Sequence, residues 1–169
     1  KDIAAIVERG MVCLDNQKFW GAPNATRAVI WTLLPGANEG KPDPYETLKQ
    51  SVQIGEQKGV RLSHALYAVA AQASGDDAKI RDALKTYAAS QADDKPVNPN
   101  FKLIDSMAGL IVRGISDRYW TEHTGVRTGD DGMSHFWDEK NEGSAELDEL
   151  FDGGAASEAP ADTKTAPAQ

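Results

Sequence analysis

Residues 101–120 read FKLIDSMAGLIVRGISDRYW. Ile104, Met107, Leu110, Ile111, Ile115 and Tyr119 recur three and four positions apart. That spacing gathers side chains on one face of a helix. The stretch predicts a helix from about Phe101 to Trp120 and, being the longest periodic segment, the expected centre of the fold. Gly109 and Gly114 lower its intrinsic propensity, which points to close packing against a neighbour.

Upstream, the same periodicity returns in shorter pieces. Asp76 or Asp77 can cap a helix whose stripe is Ile80, Leu84, Tyr87 and Ala88. Before it, Arg61 to Gln72 predicts a helix with Leu62, Ala65, Leu66, Val69 and Ala70 inward, broken by Gly75. Asp43, Pro44 and Glu46 form a helix start: a capping carboxylate, a proline at the first helical position and an acid three residues after the cap. Tyr45, Leu48 and Val52 mark its inner face, and Gly59 after Lys58 marks its end. Asp2 to Leu14 predicts a first helix, interrupted by Gly10, and Trp20 with Gly21 is expected to anchor the connection that follows.

Ala25 to Leu34 is the ambiguous stretch. Asn24 or Thr26 can cap a helix there and Pro35-Gly36 can end it, yet Val29, Ile30, Trp31 and Thr32 favour strand. The helix is preferred because no second strand candidate exists, and an isolated strand leaves backbone groups unpaired. The sum is an all-α fold: one bundle-like domain of about five to six helices, residues 1–126, with a tail. No internal repeat is evident.

Apolar residues make up 40% of the chain, enough for a core but not along the whole length. The net charge of −8 is unevenly placed. Residues 1–126 carry 15 basic and 15 acidic side chains, whereas residues 127–169 carry 3 basic and 11 acidic ones. The body is neutral and the tail is acidic. Residues 127–154 are expected to be an acidic segment holding one short amphipathic helix. Ser144 caps it, Gly153-Gly154 ends it, and Leu147, Leu150 and Phe151 share one face among Glu146, Asp148, Glu149 and Asp152. Such a short helix is marginal alone in water, so it either folds on a partner's groove or docks on its own body. The patch His135, Phe136 and Trp137 carries the same two readings, with docking on its own body preferred because Trp is costly to expose. Residues 155–169, rich in Ala, Pro and acids, are expected to be disordered.

Signals for chemistry are weak. His64, His123 and His135 are the 3 histidines, and none has metal-ligand spacing to another or to Cys13, so no metal or other cofactor is expected. No nucleophile elbow, phosphate-binding glycine loop or dinucleotide fingerprint occurs. Asp130, Asp131 and Gly132 lack the alternating oxygens and closing Glu of a calcium loop. Asp76/Asp77 and Asp93/Asp94 read as caps and turns. Cys13, the sole cysteine, reads as a small core hydrophobe and fits a reducing compartment such as the cytoplasm. The longest apolar run, about Ala28 to Leu34, is too short to span a bilayer. A chain that begins at Lys1 rather than Met suggests removal of an upstream segment, which leaves export open.

Three functions follow in order of preference. The first is a non-enzymatic interaction or assembly protein, contacting a protein partner or another subunit through Leu147, Leu150, Phe151, Phe136 and Trp137. The second is a DNA-binding protein regulated by its acidic tail, which would compete with nucleic acid for the body's binding face. Residues 51–70 have the outline of a helix-turn-helix, with Gly55 at a crossing, Gly59 at the turn, and Arg61, His64 and Tyr67 presented outward. Against it stand Lys58 at an inward position and a reading helix with one fixed positive charge. The third is an enzyme with an acidic cleft.

Overall fold

A computed structural model of the chain describes residues 3–91 and 96–139. Among these residues every regular element is helical: α1 (Ile3–Val12), α2 (Ala22–Leu33), α3 (Pro44–Lys58), α4 (Leu62–Ser74), α5 (Asp77–Ala89), a 3-10 turn (Pro99–Phe101) and α6 (Lys102–Thr124). The all-α class read from the sequence is the class observed. Two compact units divide the chain, Lys1–Phe136 and Trp137–Gln169, and all these helices belong to the first. The expected amphipathic helix around Leu147, Leu150 and Phe151 lies outside the described residues.

The helix starts follow capping chemistry. Asp43 accepts the Glu46 amide at 2.8 Å and Pro44 opens α3. Asp76 accepts the Lys79 amide at the start of α5. The ambiguous stretch is helix α2, and it begins a turn earlier than expected. Its N-cap is Gly21 rather than Asn24 or Thr26, and Pro23 sits in the first turn. Asn24 lies inside the first turn, and its own backbone amide donates to Asn16 Oδ1 at 3.0 Å. Gly21 has φ of +79°, and a Cβ there would meet the Ser51 carbonyl oxygen at 2.4 Å. The close crossing of α2 on α3 therefore depends on an absent side chain.

The centre of the bundle is α4, not the 101–120 helix expected there. α4 packs against α2, α3, α5 and α6, whereas α6 packs mainly on α4. The reason is side-chain size. Ser63, Ala65, Ala68, Ala70 and Ala71 are buried on α4, and such short side chains let four neighbours approach at once. Its inner surface is accordingly not the expected stripe alone. Ala65 and Ala70 are buried, but Leu62, Leu66 and Val69 are only half-buried. On α5, Ile80, Ala83, Leu84 and Tyr87 complete the core.

α1 is peripheral and has no buried residue. Cys13, expected in the core, is exposed just beyond its end, because the apolar side chains of this helix exceed the surface it covers. One carboxylate ties α1 to the body: Glu8 Oε1 accepts from Arg27 Nε at 3.2 Å and Trp31 Nε1 at 3.4 Å, with Lys41 Nζ at 3.9 Å. Burial raises the Glu8 pKa, but Arg27, then Lys41 and Trp31, outweigh it, and the net shift is downward.

Two outcomes follow. Gly21→Ala should destabilise the chain by about 2–5 kcal/mol, the sum of a left-handed backbone and an overpacked crossing; an unchanged urea midpoint contradicts this. Glu8 has a depressed folded-state pKa, so its tie between α1 and the body is complete above the ordinary value of 4.5 and is lost as pH falls through the lower folded-state value. Amide exchange in Ile3–Val12 should accelerate in that acid window and Glu8→Gln should remove the pH dependence; equal acceleration in the variant contradicts it.

Candidate interaction surface

Arg61, His64 and Tyr67 do not form an outward reading face. Arg61 stands at the N-cap of α4, where α5 ends and α6 begins. Its Nη1 donates to Asp105 Oδ2 at 2.8 Å, and its Nε and Nη2 donate to the Ser90 carbonyl at 3.1 and 2.8 Å. Its backbone amide donates to Asp105 Oδ1 at 3.1 Å. One guanidinium thus joins α4, the C-cap of α5 and α6. Both side chains of the ion pair are nearly buried, so the charge is committed to the fold.

His64 and Tyr67 lie one turn apart on the face of α4 toward α3 and α5, and both are fully buried. His64 Nε2 is 3.2 Å from Glu56 Oε1, and its ring meets Tyr87 edge-on. The Tyr67 hydroxyl donates to Asp82, which also pairs with Lys49 at 3.2 Å. Burial, then the hydrogen bond and charge of Asp82, push the Tyr67 pKa strongly up. Tyr67 therefore keeps its proton and acts as a donor, not as a base. The expectation that these three side chains face outward is corrected by the enclosure of α4, which leaves little of its surface facing solvent. A small cleft of about 240 Å³ reaches this cluster past Val52 and Gln53.

The aromatic patch also divides. Phe136 is buried in the helical unit, 5.9 Å from Tyr119 and 6.4 Å from Trp120, with the Arg81 guanidinium 4.7 Å from its ring centre. Of the two readings of the patch, Phe136 follows docking on its own body: its ring is used in that body's core. The loop before it is fixed by the Trp120 indole, which donates to the Gly132 carbonyl at 2.7 Å, and by Thr128, whose hydroxyl bonds Ser116 at 2.8 Å. Trp137, the first residue of the second unit, is exposed.

The feature that sequence periodicity concealed lies on α6. Its buried residues are Asp105, Ala108, Val112, Ile115, Ser116 and Tyr119. Directly opposite stand Leu103, Met107 and Leu110, with 75%, 55% and 74% of their surface exposed, and Ile111, 40% exposed, borders the two faces. Leu103, Met107, Leu110 and Gly114 follow one another at spacings of four, three and four, the repeat of a helix–helix seam. A Cβ on Gly114 would meet nothing within 4 Å, so this position is an open notch. The next seam positions, Asp117 and Thr121, are polar and limit the seam to about two heptads. Leu110 also borders a cleft of about 550 Å³ between α5, α6 and the 128–134 loop, lined by Tyr87, Gln91, Arg113 and Met133. In the sequence, Met107, Leu110 and Ile111 merged with the inner residues into one apparent stripe.

Among the described residues no group of side chains is arranged to hold a metal ion, and no helix is long and apolar enough to cross a membrane. No family model, curated protein or solved structure matches the chain.

Arg61→Met leaves Asp105 buried without its cation and should cost about 3–5 kcal/mol. Arg61→Met with Asp105→Leu should recover much of that loss. A single variant as stable as the parent, measured by urea unfolding, contradicts the clamp.

Proposed function

We propose that this chain is a non-enzymatic interaction or assembly protein whose body docks a helix along the outer face of α6. The observation that carries it is the apolar seam Leu103–Met107–Leu110, exposed where α3 and α5 bury their apolar stripes. Contiguous apolar surface at helical spacing is the mark of a helix-docking face. The acidic segment, residues 127–154, supplies charge that steers encounter with a partner more than it adds affinity. The buried placement of His64 and Tyr67, and the fixed role of Arg61, remove the contact set on which the nucleic-acid reading was built.

The test is a photo-cross-linking amino acid placed in the full chain at Leu110 and, as a control, at Glu122. The Leu110 position should yield a covalent protein adduct that the Glu122 position does not. Adding Leu103→Glu should abolish the adduct while leaving helical circular dichroism and the unfolding midpoint within about 0.5 kcal/mol of the parent, as for other surface changes. No adduct from Leu110, or equal adducts from both positions, contradicts the proposal.

A further inference from the structure

Resting on the interaction reading of this face, we infer that its occupant is α6 of a second copy of the chain, packed antiparallel. The seam is its own complement only in that direction. Read forward it is Leu103, Met107, Leu110, Gly114; read backward it places Leu103 against Gly114 of the second copy and Met107 against Leu110. A large side chain then fills the open notch at each end, and large meets large in the middle. A parallel pair sets Gly114 against Gly114 and leaves a gap.

Charge agrees with size. Lys102 and Asp117, the latter at the edge of the seam, lie toward one flank, fifteen positions apart and so within about 60° around the helix axis. Asp117 Oδ1 also pairs with Arg113 Nε at 3.3 Å and accepts the Thr128 amide at 3.2 Å. A two-fold axis perpendicular to the antiparallel pair brings Lys102 of each copy toward Asp117 of the other, twice by symmetry. A parallel two-fold pair instead carries the Lys102–Asp117 flanks of the two copies to opposite sides of the seam, where these charges do not meet. The seam is short, and a stable interface buries about 800 Å² on each partner, so the dimer forms and dissociates with concentration.

Sedimentation velocity of the full chain over a concentration series should show a reversible monomer–dimer equilibrium. Gly114→Leu adds apolar surface and helix propensity, which tightens association through a merely sticky patch. In the antiparallel fit it fills the notch that Leu103 needs, and overpacking of this kind should weaken the dimer about tenfold. In a Cys13→Ser background, Leu103→Cys and Gly114→Cys should each stay uncross-linked on mild oxidation. A mixture of the two should give a disulfide-linked dimer containing one of each. A chain that is monomeric at every concentration overturns the second copy as occupant, while the Leu110 adduct to a different protein would still support the docking face. Tighter association of Gly114→Leu, or cross-linking of Leu103→Cys to itself, overturns the antiparallel geometry.

Discussion

The enclosure of α4 is the constraint on which the rest of the structure depends. A helix touched by four others needs small side chains nearly all round, and Ser63, Ala65, Ala68, Ala70 and Ala71 supply them. Tyr67 and His64, the large exceptions, enter the core only because Asp82 and Glu56 meet their polar ends. A buried hydroxyl or imidazole without such partners is costly. At the start of the helix, Arg61 holds Asp105 and the Ser90 carbonyl together. The ends of α5 and α6 are thereby fixed to α4. With its inner face occupied by α4, α6 turns its remaining apolar side chains outward.

Local chemistry was legible in the sequence where a single residue decides it. Asp43 with Pro44, Asp76, Gly59 and Gly75 mark helix ends whose orphan amides and carbonyls need a specific partner or backbone angle. The helical identity of α2 followed from the lack of any strand to pair with it. Its first turn did not, because the amide acceptor is Asn16, which lies outside the helix.

Global arrangement was less legible, and for one physical reason. Hydrophobic periodicity counts apolar side chains without saying which of them face the core. On α6, periodicity adds the exposed Met107, Leu110 and Ile111 to the inward Ile115 and Tyr119 and so marks the longest helix as the central one. On α4 the reverse occurred: alanines and serines give little periodic signal, though their smallness is what admits the neighbours. The same blindness put Cys13 inside and turned His64 and Tyr67 outward. The clamp joins Arg61 to Asp105 across 44 positions, a separation at which no local pattern reports a contact.

The proposed dimer covers the outer face of α6 with a second copy of the chain. Hydroxyl-radical footprinting of the full chain over a dilution series measures this directly, with Met107 as the most reactive seam side chain and the exposed Ile3 and Ile6 of α1 as internal references. The account predicts strong oxidation of Met107 in dilute protein and progressive protection as concentration rises, at constant labelling of the α1 residues. Labelling of Met107 that is the same at every concentration, whether high or low, would contradict it.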